Sequence, residues 1–166
     1  ERLRSPAAAG SGAPPHAPVT IAVLPFANLT ADGDKDYFAE GLAEELMRGL
    51  AQVDSVRVAA RSSACAAGAA GLDAREIGRR LSVRALVEGS VRQARDRVRL
   101  SAQLVDARDG CQLWSEMFER RVDDVFSAQD ELAAAIVRAL DAPLRRLASS
   151  AMAAPSSAAR DQADAR

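Results

Sequence analysis

Hydrophobic and polar positions change their period along the 166 residues, and the changes mark out elements. Val19 to Phe26 is a short, mostly apolar run stopped by Pro25, the pattern of a buried strand. Asn28 to Asp36 is polar and contains Gly33, which predicts a loop. Asp36 can cap a helix reaching about Gln52. Within it Phe38, Leu42, Leu46 and Leu50 recur every four residues and, with Met47, form a broad apolar face. Glu40, Glu44, Glu45 and Arg48 are left on the more exposed side. Val56 to Ala60 reads as a second short strand, followed by a loop over Arg61 to Gly71. Asp73 then caps a second helix through about Leu81, with Ile77 and Leu81 inward.

The period next becomes two. Arg84 to Gln93 and Arg97 to Asp106 read as strands of a hairpin, separated by Ala94, Arg95 and Asp96. In the second run Val98, Leu100, Ala102 and Leu104 alternate with Arg97, Arg99, Ser101 and Gln103, giving one dry and one wet face. Asp109-Gly110 signals a turn, and Gln112 to Arg121 completes a meander. Asp123 or Asp124 opens a last helix carrying Val125, Phe126, Leu132, Ile136, Val137 and Leu140, which Pro143 should end or kink. The predicted order is β-α-β-α-β-β-β-α. Crossover helices join parallel strands, so the first part of the sheet is parallel and the meander extends it antiparallel. The expectation is an α/β fold with a mixed sheet, in two layers or three.

Composition adds boundaries. Residues 1–18 are rich in Ala, Gly, Ser and Pro and bury too little surface to order themselves, so they read as a flexible linker. Residues 19–141 form the domain, and 142–166 a helix extension and flexible tail. Linkers at both ends imply a domain strung between others, and the opening Glu1 in place of Met implies a native start upstream. Lys plus Arg number 22 and Asp plus Glu 23, a balance with no general attraction to nucleic acid or anionic lipid. No apolar run approaches the roughly 20 residues of a membrane span, so no membrane insertion is expected from this segment. Cys65 and Cys111 have no CxxC spacing and no His neighbours, and read as small buried hydrophobes.

The phrases IAVLPFANLT, DYFAEGLAEEL, VRALVEGSVRQARDRVRLSAQLVDARDG, LWSEMFER and VFSAQDELAAAIVRAL, in that order, resemble the TolB-like amino-terminal domain over residues 19 to about 141. The resemblance implies an α/β fold without known catalysis. It also implies a place in multidomain bacterial proteins, after a nucleotide cyclase, Ser/Thr kinase or winged-helix domain and before TPR repeats. The Ala-rich SSACAAGAAG segment departs from that pattern, where relatives carry larger or more polar residues.

The first candidate site is the crevice beyond the carboxyl ends of the two parallel strands, where α/β sheets bind ligands. Asn28, Thr30, Arg61, Ser62 and Ser63 flank it and could hold an anionic or carboxylate group. The plainer reading has Asn28 and Thr30 bonding to loop backbone and Ser62 or Ser63 capping a turn. The second candidate is a partner surface of Arg92, Arg97 and Arg99, beside Arg95 and near Arg84, with Trp114 as an anchor. The same arginines would also serve as a solvated or edge-protecting face. No Lys or aromatic side chain is interleaved among them for base stacking, which argues against nucleic acid.

Catalytic readings fail at the residues. Glu40 and Glu44 share a helical face, but an exposed one offers no reason for a raised pKa. Glu88-Gly89-Ser90 lacks a nucleophile elbow, and the only His, His16, lies in the linker. Gly10-Ser11-Gly12 is no phosphate loop, and Asp106, Asp109 and Gly110 lack calcium-loop spacing. Neither catalytic residue, metal nor cofactor is expected. The function expected is a sensory or protein-interaction module relaying binding to an attached effector. Its partner would be that effector, the TPR repeats or a second copy. The alternative is a periplasmic cell-envelope scaffold related to TolB, so either a cytoplasmic or a periplasmic location fits.

Overall fold

A computed structural model describes residues 18–30 and 36–153. The elements are β1 (Val19–Val23), β2 (Ala27–Asn28), α1 (Asp36–Ala51), β3 (Val56–Val58), α2 (Arg61–Ala69), α3 (Ala74–Leu81), β4 (Ala85–Ala94), β5 (Arg97–Asp106), β6 (Gln112–Arg121) and α4 (Val125–Ala153). The linker expected over 1–18 and the end of the expected tail fall almost wholly outside the described residues.

One six-stranded sheet runs in the order β3-β1-β4-β5-β6, with β2 also beside β4. β1 is parallel to β3 and to β4, and β2 is parallel to β4. β4, β5 and β6 form the antiparallel meander. The α/β class, the mixed sheet and the hairpin boundaries therefore follow the sequence pattern.

Residues of β1 and the start of β4 are buried on both faces, which explains their nearly continuous apolar runs. On one face Ile21, Val23, Val87, Val91, Leu100 and Leu104 pack against Phe38, Leu42, Leu46 and Leu50 of α1 and Leu132, Ile136 and Leu140 of α4. On the other face Ala22, Leu24 and Leu86 pack against Ala64, Ala67 and Ile77 from α2 and α3. The second layer covers only that end of the sheet. The fold is three-layered over β1 and two-layered over the meander.

Four details differ from the sequence reading. The strand expected to stop at Pro25 resumes as β2, because Leu24 N donates to Val87 O at 2.9 Å and Leu29 N to Val91 O at 2.8 Å on either side of the proline. Proline has no N–H for the ladder, so the strand breaks there and pairs again beyond. The loop expected over Arg61 to Gly71 is mostly helix α2. Its inward residues are alanines, which bury little area and leave no visible apolar stripe, yet favour helix. The second parallel strand is shorter than expected, ending at Val58. Pro143 does not end α4, which continues to Ala153 with Pro143 inside it. Burial of Leu144, Leu147 and Ala148 against the main core offsets the lost backbone bond.

Two close approaches hold the layers. Gln129 is buried on α4 and its Nε2 donates to Phe38 O of α1 at 3.1 Å. Gly89 faces Ala102 across the β4–β5 ladder. A Cβ at Gly89 would stand 2.0 Å from Ser101 O and 3.1 Å from the Phe26 ring, so backbone would have to move.

Two of the expected caps form, at Asp73 and Asp124, whereas Asp36 is the first residue of α1 and its side chain falls outside the described residues. Asp73 accepts from Glu76 N at 2.9 Å, and Asp124 accepts from Ser127 N and Ser127 Oγ. The Ser127 hydroxyl and amide hold the Asp124 carboxyl below its ordinary range.

Gly89→Ala should destabilise the domain by at least about 2 kcal/mol in urea or thermal unfolding, through overpacking against backbone. Asp73→Ala should cost about 1 kcal/mol by loss of the α3 cap. Asp124 titrates lower in the folded than in the unfolded chain. Its contribution is therefore present above the unfolded pKa and lost as pH falls through the folded one. Stability measured against pH should lose part of its acid-side slope in Asp124→Ala; an unchanged slope would contradict the capping role.

Candidate functional site

β1 leaves the sheet towards α1 on one face, while β3 leaves towards α2 on the other. Adjacent parallel strands with opposite exits open a crevice at their carboxyl ends. Here it is a cavity of about 310 Å³ lined by Val23, Pro25, Phe26, Ala39, Glu40, Ala43, Met47, Arg61 and Cys65. Arg61 Nη1 lies 3.2 Å from Glu44 Oε2, with both side chains half exposed, so that pair adds little stability.

The crevice does not gather the other four residues expected there. Asn28 Oδ1 accepts from Thr30 N at 3.0 Å, a local turn bond. Thr30 Oγ1 accepts from Gln93 N at 2.9 Å and fastens the loop after β2 to the end of β4. Ser62 and Ser63 are exposed on the first turn of α2, and the cap of that helix is Ala60, without a side-chain bond. Asn28 and Thr30 thus do what the plainer reading assigned them, whereas neither Ser62 nor Ser63 provides the α2 cap.

A second concavity lies on the other side of α2. It encloses about 620 Å³, with Glu88, Gly89, Ser90, Ser101 and Gln103 of β4 and β5 among its lining. Leu24, Pro25, Ala27, Cys65, Gly68, Ala69, Leu72 and Ile77 form an apolar wall. The groove exists because α2 and α3 cover Leu86 but stop short of the next positions along β4. Gln103 Nε2 donates to Glu88 Oε2 at 2.8 Å and orients the carboxylate on the floor. Pro25 and Cys65 line both concavities, so α2 is the partition between them. The partition packs closely: a Cβ on Gly68 would lie 3.1 Å from Pro25 Cδ.

The arginine surface divides. Arg92 faces Arg99 across the ladder, on the open sheet face beyond the groove floor. Arg97 and Arg99 both reach Glu119 Oε2, at 3.3 and 3.6 Å. Trp114 is on the opposite face, half buried against the main core with its ring 6.4 Å from Phe118. Residue parity on the strands therefore separates Trp114 from the arginines. Arg84 also leaves the stripe: it is largely buried, 3.6 Å from Asp106 Oδ2, tying the start of β4 to the end of β5. Its Nε has no hydrogen-bond partner.

The cysteines stay free, Cys65 half buried and Cys111 exposed, which corrects the expectation that both are buried. Cys111 sits in the β5–β6 turn, where its N donates to Asp109 Oδ1 at 2.9 Å. The adjacent Asp109 charge pushes its thiol up, away from the reactive thiolate. Among the described residues no cluster of His, Cys, Asp and Glu could hold a metal ion, and no helix is long and apolar enough to cross a membrane. Sequence reasoning missed the groove, although Glu88-Gly89-Ser90 and the polar partners Ser101 and Gln103 had marked its floor.

The folded core is similar to proteins of several names. "Putative adenylate cyclase 3" of Rhizobium meliloti (strain 1021) is 40% identical over 142 residues, covering 84% of this chain. This chain spans only 24% of that relative. Lipoprotein GNA1162 from Neisseria meningitidis aligns with a TM-score of 0.55 and 20% identity, over 74% of this chain and 96% of that one. TolB from Acinetobacter baumannii aligns with a TM-score of 0.52 and 19% identity, over 77% of this chain and 30% of its own. At such identities the two structures speak for the fold alone, and the fold is TolB-like. Residues 17–136 match a sequence family, and by that match the chain belongs to the HilA/YgeH-like transcriptional regulator second domains.

Proposed function

We propose that this domain is a non-catalytic interaction module of a larger bacterial regulatory protein, and that it relays partner binding to an attached effector. The observation that carries the reading is the family itself, named as the second domain of transcriptional regulators. The cyclase-named relative, of which this chain spans a quarter, supports an effector elsewhere in the same polypeptide. The effector would be a cyclase, kinase or winged-helix domain, with TPR repeats on the other side.

The docking surface in this reading is the groove between α2 and the open sheet face. Its apolar wall supplies area, while the Glu88 carboxylate, the Ser90 and Ser101 hydroxyls and the Gln103 amide supply direction. The crevice with Arg61 is the smaller second candidate, with Glu44 already engaging the guanidinium. Either site binds through fixed polar groups and needs no reacting side chain.

Fold likeness to a lipoprotein and to TolB favours one other reading, a scaffold of the cell envelope. Fractionation of the native full-length protein separates the two: an effector output inside the cell supports the relay, and an exclusively periplasmic product supports the scaffold.

Ser101→Trp would fill the groove from its partly exposed floor without entering the main core. In the full-length protein it should leave folding intact, by circular dichroism and melting temperature, and abolish the effector's response to its partner. A normal response in a folded Ser101→Trp protein would remove the groove from the proposal.

A further inference from the structure

β6 is the last strand of the sheet, and its outer edge has no neighbour among the described residues. It is ten residues long. Val122 N donates to Asp96 O, and the ladder alternates from there. Trp114, Glu116, Phe118 and Arg120 therefore turn their backbone groups towards β5, and Ser115, Met117, Glu119 and Arg121 turn theirs outward. Unpaired edges of this length are templates for another strand unless something blunts them. This one carries neither Pro nor Lys. It also gathers exposed apolar side chains: Leu113 is 38% exposed, Met117 63%, and Phe126, just beyond the strand, 75%.

We propose that this edge pairs antiparallel with the same edge of a second copy of the chain, around a two-fold axis through Phe118. The charges select the partner and the register. A two-fold axis perpendicular to the sheet keeps each face continuous, so each possible register is centred on one residue. Centring on Glu116, Glu119, Arg120 or Arg121 sets two like charges directly opposite, which is destabilising. Centring on any residue from Gln112 to Ser115, or on Met117, draws Leu113 into the ladder. Leu113 is the extra residue at the irregularity where Leu104 pairs with Trp114 and Val105 with Gln112.

Only the Phe118 centre avoids both faults, and it adds an attraction. Glu116 of each copy then faces Arg120 of the other, twice, in the close non-hydrogen-bonded positions. Met117 faces Glu119 and Ser115 faces Arg121, both in hydrogen-bonded positions. The alternating signs that discourage other strands at this edge match when the edge meets itself. Two six-stranded sheets would join into one, with the α2–α3 grooves on the same face.

Sedimentation equilibrium on the 166-residue chain tests this. The chain should be a dimer at roughly 100 μM, a concentration reporting even modest affinity. Glu116→Arg or Arg120→Glu alone should weaken the dimer at least about tenfold through like-charge contacts. The double exchange Glu116→Arg with Arg120→Glu should restore it. Met117→Pro removes one outward N–H and leaves the β5 ladder intact, so it should give a monomer that keeps the wild-type circular dichroism spectrum. A monomeric wild-type chain would overturn the proposal. So would a dimer indifferent to Met117→Pro, or one that the double exchange does not recover.

Discussion

Burial of β1 and of the first half of β4 on both faces is the constraint that organises the molecule. Ile21 and Val23 point one way and Ala22 and Leu24 the other, and all four are buried. Each face then needs its own cover. The larger side chains take the larger helices, α1 and α4, which meet through the Gln129 bond to Phe38 O. The smaller side chains take α2 and α3, whose contact residues are mostly alanine. Unequal side-chain volumes on the two faces thus produce unequal layers. The thin layer cannot cover the whole sheet, and the groove is the uncovered part beside it.

The two-residue periods were legible because the meander is half solvated. Val98, Leu100, Ala102 and Leu104 are buried while Arg97, Arg99, Ser101 and Gln103 are not, so polarity reports the face directly. The same holds for α1, where Phe38, Leu42, Leu46 and Leu50 are all fully or almost fully buried. What polarity could not report is packing among small residues. Ala64 and Ala67 bury little surface each, so α2 left no contrast for a pattern to detect. Nor could sequence show that β2 belongs to the sheet, since a strand of two residues has no period. Pro143 misled for a related reason: its cost is local, whereas Leu144 and Leu147 beyond it gain from a core assembled at long range.

The candidate site was legible in position but not in membership. The exit of β1 and β3 to opposite faces does open a crevice, and Arg61 does line it. Asn28 and Thr30 are spent on the backbone at the end of β2, where Thr30 also fastens the chain to the end of β4. For the arginines, strand parity decides. Arg92 and Arg99 are cross-strand neighbours on one face, whereas Trp114 has the parity of Leu104 and joins the core. A surface drawn from sequence proximity crossed the sheet without registering it.

Pro25 connects the fold to the site. By interrupting β1 it frees the chain to continue as β2, and it also sets its ring against α2 at Gly68. That contact stands between the two concavities, with Cys65 of the same helix lining both. A ligand or partner segment entering either concavity therefore meets α2, which is held mainly by alanine contacts and an exposed ion pair to Glu44. α2 belongs to the thin layer, whereas the other face of β1 packs on the larger core of α1 and α4.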